Sequence, residues 1–226
     1  MSGGGHKKLE TNISLMAIFI IIAISLGGLV EIVPLIFLDQ VNEPSEGVVP
    51  YPALELAGRD VYVHEGCYNC HSQMIRTFRS ETERYGPYSI AGESVYDRPF
   101  QWGSKRTGLD LARVGGKYNN LWQYLHLMDP RETSPASNMP TYKHFAKRML
   151  DPEVYVGRME ALRKLRTPYS DEDIELAVQR YNSQAQLIVD DLAKELVTVE
   201  PHSQMVAVIA YLQRLGRGPQ PIVAEK

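Results

Sequence analysis

The chain has 226 residues and a nearly balanced charge, with 24 Lys and Arg against 27 Asp and Glu, giving a net charge of −3. This length allows one anchored domain of medium size, or one domain with an extension. The mild acidity, without a basic stripe carrying interleaved aromatic residues, excludes a typical nucleic-acid-binding protein, and two cysteines are too few for a disulfide framework.

The N-terminal region contains a candidate membrane anchor. From Ile13 the chain reads ISLMAIFIIIAISLGGLV, about 18 residues without a charge, which is long enough to cross a bilayer. Apolar residues continue through Glu31 and Pro34 to Leu38. The run is too long for the core of a cleaved signal peptide, and no small-x-small cleavage site follows it cleanly. We therefore predict a cytoplasmic N-terminus and an uncleaved transmembrane anchor over residues 1–40.

The charges flanking this segment predict its orientation. Lys7 and Lys8 precede it, and acidic residues follow it. Because positively charged flanks stay in the cytoplasm, we expect a single pass through the lipid of a bacterial inner (cell) membrane and a periplasmic remainder of the chain. Glu31 either faces a partner subunit or a proton path, or is simply wetted near the outer membrane interface.

The rest of the chain divides into a linker, a domain and a tail. Residues 41–52 read VNEPSEGVVPYP, and this content of proline, glycine and acid predicts an extended, solvated linker. We expect the domain over residues 53–218 and a short tail over residues 219–226. Apolar residues at helical spacing predict helices over residues 53–65 and 203–215.

Gly58 interrupts the first of these helices. A glycine in a helix interior costs about 1 kcal/mol relative to alanine, so we expect a closely packed partner at this position. The last helix, ended by Gly216, is the candidate partner, with Tyr62 and Tyr211 near the crossing.

Residues 67–71 read CYNCH, the C-x-x-C-H attachment signature of c-type haem. In this chemistry Cys67 and Cys70 form thioethers with the two vinyl groups of a porphyrin, and His71 binds the iron. A redox dithiol needs no histidine and usually sits in a βαβ pattern that is absent here. A zinc site needs four ligands, and a disulfide across two residues is strained. We therefore predict one covalently bound haem c.

The iron then needs a sixth ligand or has an open site. Met139 is our candidate, because it lies in the turn-rich stretch SNMP, and the following proline keeps it out of a helical conformation. His126 and His144 are the rival ligands. Three other methionines are assigned to helical stretches: Met128, Met149 and Met159. Met205 belongs to the predicted last helix, and Met74 is too close to His71 to reach the other face of the haem. Ligation by His and Met suits electron transfer, because it raises the reduction potential.

Two further regions have predicted roles. Residues 102–118 are rich in glycine and contain Lys105, Arg106 and Arg113, which either contact haem propionates or a partner, or are solvated surface charges. Residues 151–200 are helical in pattern, with a capping box predicted at Ser170. The apolar stripe that follows predicts a helix packing on the domain or docking a subunit; it comprises Ile174, Ala177, Val178, Tyr181, Ala185, Ile188, Leu192 and Leu196.

This ordered set of motifs resembles the mono-haem, membrane-anchored subunit of cbb3-type cytochrome c oxidases, called CcoO or FixO. The resemblance rests on the single N-terminal anchor, on GCYNCHSQM from Gly66, on GLDLARVG from Gly108, on Trp122 with His126-Leu127 and Asp129-Pro130-Arg131, and on SNMP around Met139. It implies a mainly α fold, with one N-terminal transmembrane helix and a class I-like cytochrome c domain carrying a helical extension.

The resemblance also implies a function and partners. His71 and Met139 are the axial ligands in that family pattern, and Cys67 and Cys70 are the thioether attachments. The subunit is expected beside a catalytic haem-copper subunit and a di-haem cytochrome c subunit. It passes electrons to the catalytic subunit of this terminal respiratory oxidase and does not itself reduce oxygen.

Two other functions stay open at this stage. A free-standing, membrane-anchored cytochrome c shuttling between respiratory complexes needs neither Glu31 nor the long helical region. An enzyme acting at an open haem, such as a peroxidase, requires the iron to lose Met139.

Overall fold

A computed structural model of the chain describes residues 3–38, 43–103 and 105–217. The chain divides into two compact units, residues 1–43 and residues 44–226. The predicted tail (residues 219–226) and residue 218 at the end of the predicted domain lie outside the described residues, as do residues 39–42, the last two of the predicted anchor and the first two of the predicted linker.

The first unit contains two helices, α1 (Gly3–Thr11) and α2 (Ile13–Ile36). Asn12 caps α2, because its side chain accepts a hydrogen bond from the Leu15 amide at 3.0 Å. The 24 residues of α2 span about 36 Å at 1.5 Å per residue. The residues of α2 are not buried in the structure, and the helix is long and apolar enough to cross a membrane. The helix α1 was not predicted from the sequence.

The second unit is built from helices joined by irregular segments. They are α3 (Ala53–His64), α4 (Arg79–Tyr85), α5 (Asn120–Met128), α6 (Pro130–Thr133), α7 (Pro152–Lys164), α8 (Asp171–Glu175), α9 (Ala177–Ala193) and α10 (Gln204–Arg214). Short 3₁₀ turns occur at Cys67–Asn69, Ala91–Glu93 and Lys143–Ala146. The described residues contain no strand, only an isolated bridge between Met149 and Ser203. The predicted mainly α fold is confirmed.

The close contact between α3 and α10 occurs at Gly58. A Cβ atom added to Gly58 would lie 1.9 Å from the Ala207 carbonyl oxygen and 2.8 Å from the Tyr211 Cβ. The Tyr62 and Tyr211 rings lie beside the crossing, with centroids 5.3 Å apart. The predicted partner of Gly58 is therefore confirmed, and the missing side chain lets two backbones approach closely.

The helical region after residue 151 completes the same core. Buried residues of α7 and α9 join those of α3 and α10 in one apolar cluster, and they include Met159, Tyr181 and Leu192. The predicted capping box at Ser170 is confirmed, with the Ser170 hydroxyl and the Asp173 carboxylate each accepting from the other residue's amide. This region therefore packs on the domain as an extension of it.

Two details of that region differ from the sequence prediction. Leu196 does not continue the buried stripe, because it lies past the end of α9 at a φ of 60° and is 95% exposed. Met149, predicted to be helical, instead lies in the bridge to Ser203. Local apolar spacing does not reveal where a helix stops when the chain turns back onto a neighbour.

Residues 44–52, the described part of the second unit within the predicted linker, are hydrogen-bonded to the domain. Arg214 Nη2 donates to the Val49 carbonyl at 3.0 Å, and the Tyr169 hydroxyl donates to the Tyr51 carbonyl at 2.7 Å. Composition predicted a solvated connector, but these backbone carbonyls have partners in the packed helices.

We predict that Gly58→Ala destabilises the second unit strongly, because its Cβ has no room against Ala207. Overpacking of this kind costs about 1–3 kcal/mol or more. The control is Gly157→Ala in α7, where an added Cβ meets nothing within 4 Å and alanine should stabilise the helix by up to about 1 kcal/mol. Denaturant unfolding followed by circular dichroism measures both, and a Gly58→Ala chain as stable as the wild type contradicts the packing argument.

Candidate functional site

The C-x-x-C-H motif follows α3 after a sharp turn of the backbone. Gly66 has a φ of 72°, a left-handed conformation that favours glycine, and the chain then forms the 3₁₀ turn Cys67–Asn69. The His71 amide donates to the Cys67 carbonyl at 3.0 Å, which closes the turn. Cys67 is half-buried, Cys70 is exposed, and both are free thiols. The structure therefore places two thiols and an imidazole together on one short turn.

The orientation of the His71 ring is set by a backbone carbonyl. His71 Nδ1 lies 2.8 Å from the Leu109 oxygen. Since a carbonyl only accepts hydrogen bonds, this contact assigns the proton to Nδ1 and leaves the lone pair of Nε2 for a metal. Burial lowers the pKa of His71, although the hydrogen bond to Leu109 opposes the shift. Burial thus favours the neutral imidazole, and the hydrogen bond selects the tautomer with a free Nε2.

Gly108 provides the surface against which the His71 ring lies. A Cβ atom at Gly108 would lie 2.2 Å from the His71 Cε1, so a larger residue would displace the ring. The Gly108 amide donates to the Cys70 carbonyl at 2.8 Å, which holds this backbone beside the motif. The contact was not predicted, and its only sequence signal is a glycine in the GLDLARVG stretch.

The cations proposed as propionate contacts have different environments. Arg106 Nη2 lies 2.7 Å from the Glu81 carboxylate, and this hydrogen bond holds the pKa of Glu81 well below its usual range. Arg113 Nη2 lies 2.6 Å from the Glu93 carboxylate, and Lys105 is exposed. Both arginines thus form ion pairs within the chain, so a propionate role for any of the three stays a prediction.

Met139 lies in an irregular segment and is half-buried against the apolar cluster. Its amide donates to the Ser137 hydroxyl at 3.2 Å, and its carbonyl accepts from Arg131 Nη1 at 3.4 Å. Both contacts involve the backbone of Met139, and neither involves its side-chain sulfur. The assignment of Met139 as sixth ligand stays a prediction.

His126 lies close enough to His71 for their charges to interact. Burial lowers the pKa of His126, and a charge on His71 lowers it further. The ring stacks on Trp122 with centroids 4.6 Å apart, and its Nδ1 lies 2.6 Å from the Thr133 hydroxyl. This rival ligand is therefore near the motif. His144 also lies near the motif, but its Nε2 is 3.3 Å from the carboxylate of Glu65, two residues before Cys67.

Tyr142 is a neighbour of the motif that sequence reasoning missed. Burial, together with the charges of Cys67 and Cys70, raises the pKa of Tyr142 to about 12. Burial likewise raises the pKa of the Cys67 thiol to about 12. The only sequence signal for Tyr142 is its position three residues after Met139. The Cys67 thiol is therefore shielded from water, packed against the apolar cluster of the domain.

The donor set fits a haem better than the alternatives. Within the part of the chain that the structure describes, no group of three or more His, Cys, Asp or Glu side chains could hold a metal ion, so the zinc interpretation lacks ligands there. Two free thiols, a neutral imidazole with an available Nε2 and a glycine against its ring match the needs of covalent haem attachment.

Comparison with protein families agrees with this chemistry. A family model described as "Cytochrome C oxidase, mono-heme subunit/FixO" matches residues 6–218. A comparison with curated proteins found no match. The family match includes α2, the C-x-x-C-H turn, the segment around Met139 and α10. This chain belongs to the FixO family, the mono-haem subunits of cytochrome c oxidase.

Proposed function

We propose that the chain is the electron-transfer subunit of a cbb3-type haem-copper cytochrome c oxidase, carrying one covalent haem c. The observation that supports this most is the His71 ring, which follows the two free thiols and has its Nδ1 bound to the Leu109 carbonyl at 2.8 Å. In a chain of the mono-haem family, that arrangement leaves Nε2 available for iron.

In this proposal each residue of the site has one task. Cys67 and Cys70 would form the thioethers, and His71 Nε2 and the Met139 sulfur would bind the iron. A haem held in this way would supply a one-electron carrier, and a methionine ligand would raise its reduction potential. The chain's own residues would bind and orient the group. The subunit itself does not reduce oxygen.

The proposal also covers location and partners. The helix α2, which is long and apolar enough to cross a membrane, and the lysines before it support a single pass through a bacterial inner membrane with a periplasmic haem domain. Because the proteins of this family are subunits of cytochrome c oxidase, we propose a catalytic haem-copper subunit as one partner. We propose a di-haem cytochrome c subunit as the second partner. A free-standing anchored shuttle is the alternative.

We predict that replacing both Cys67 and Cys70 by Ala abolishes covalent haem, because no thioether can form. Haem staining of a denaturing gel measures this, and the stain should fall to background in the double variant. Tyr68→Phe, which changes a residue of the same turn without removing a thiol, is the control and should stain like the wild type. Stain that survives in the double variant contradicts the attachment.

We predict that Met139→Leu opens the iron, because leucine has no donor atom. Reduced Met139→Leu should be high-spin and bind carbon monoxide in nearly all molecules, whereas the wild type should bind almost none. Absorption spectra with and without carbon monoxide measure this. His126→Leu is the matched test of the rival ligand: if it opens the iron and Met139→Leu does not, the sixth ligand is His126.

The proposed assembly predicts which cofactors co-purify with the chain. We expect tagged protein, purified from its native membrane in mild detergent, to carry both c-type and b-type haem signals and to consume oxygen. Reduced-minus-oxidised spectra and an oxygen electrode measure these. A c-type signal alone, without a large partner subunit, favours the anchored shuttle over the oxidase subunit.

A further inference from the structure

A single buried carboxylate ties the loop that contacts His71 to the segment that follows the motif. The Asp110 side chain is 0% exposed. Its Oδ2 accepts hydrogen bonds from the Ser72 hydroxyl at 2.6 Å and from the Met74 amide at 3.0 Å. Its Oδ1 accepts from the Ala112 amide at 2.8 Å. One side chain thus joins a serine hydroxyl and two backbone amides around the site.

Arg106 strengthens the same connection from the other end of the loop. Its Nε donates to the Ser72 hydroxyl oxygen at 2.7 Å, and its Nη2 donates to the Met74 carbonyl at 2.9 Å. The same nitrogen lies 2.7 Å from Glu81 and 3.3 Å from Asp110. Charge-assisted hydrogen bonds of this kind are about twice as strong as neutral ones, so the loop is held at both ends.

The residues between these two anchors are the ones that contact His71. Gly108 lies against the imidazole ring, and Leu109 provides the oxygen bound to Nδ1. The backbone of this loop is also bound to the motif segment. The Gly108 amide donates to the Cys70 carbonyl at 2.8 Å, and the Leu111 amide donates to the Ser72 carbonyl at 2.8 Å. Because the ring contacts depend on where this short loop lies, side chains that fix the loop also fix the ring.

We propose that Asp110 is a positioning residue which, together with Arg106 and Ser72, presents the Leu109 carbonyl to His71 and so sets the basicity of the iron ligand. This inference rests on the proposed function, in which His71 binds haem iron. A hydrogen bond from Nδ1 to an acceptor makes the imidazole a more basic ligand. A more basic ligand favours ferric over ferrous iron, so loosening the loop should raise the reduction potential.

The test compares two variants of the full chain, purified in detergent with haem attached. Ser72→Ala removes a hydroxyl shared by Asp110 and Arg106 without changing any charge, and Asp110→Asn replaces one acceptor oxygen by a donor. In both variants we expect hydrogen–deuterium exchange of residues 106–112 to become at least tenfold faster. The reduction potential should rise by up to about 59 mV, the equivalent of a tenfold change in the preference of His71 for ferric iron.

Asp173→Asn is a matched control. Asp173 also accepts from a serine hydroxyl at 2.8 Å, a backbone amide at 2.9 Å and an arginine at 2.7 Å, but its partners are Ser170 and Arg180 around α8 and α9. This variant loses a helix cap without touching the loop. We therefore expect wild-type exchange at residues 106–112 and a wild-type potential.

Several results would overturn the inference. Wild-type exchange at residues 106–112 in Ser72→Ala does so whatever Asp110→Asn shows. A potential that rises only in Asp110→Asn also does so, because it assigns to Asp110 an effect of charge alone. If Asp110→Asn does not fold, Ser72→Ala decides by both criteria. A wild-type chain without covalent haem contradicts the proposed function instead, and the exchange comparison can then be made on the haem-free chain.

Discussion

The close approach of two backbones at Gly58 is the constraint on which the arrangement of the haem domain depends. With no side chain at this position, α3 lies directly against the Ala207 carbonyl of α10, and the buried faces of both helices enter one core. The C-x-x-C-H turn begins three residues after the end of α3. The first and last helices of the domain therefore place the C-x-x-C-H turn on a rigid base, which a site of defined geometry requires.

A second glycine contact repeats this logic at the site itself. Gly108 lets the His71 ring lie against a backbone, and the next residue binds the ring's Nδ1 through its carbonyl. Neither the contact with Gly108 nor the hydrogen bond to Leu109 requires a protonated, charged imidazole. Burial also lowers the pKa of His71. The surrounding backbone thus orients the imidazole, so little conformational entropy would be lost if this ring binds iron as proposed.

Ion pairs of two arginines near the site hold the loops around it. Arg106, considered from sequence as a propionate contact, forms ion pairs with Glu81 and Asp110, and Arg113 forms one with Glu93. Buried ion pairs contribute little net stability because desolvation is costly, but each removes alternative positions for the segments that it joins. This specificity is of most use beside a cofactor, where a small displacement of a ligand changes its chemistry.

The sequence by itself determined the features that depend on local chemistry: the C-x-x-C-H motif at residue 67, the long apolar N-terminal helix, the capping box at Ser170 and the helical periodicity of the core. It also pointed to close packing at Gly58, since a helical glycine is costly without one. Only the tertiary structure decided which carbonyl binds His71 and that Gly108 lies against the ring. Those contacts join segments about 40 residues apart, and no local pattern records which distant segments the packed core brings together.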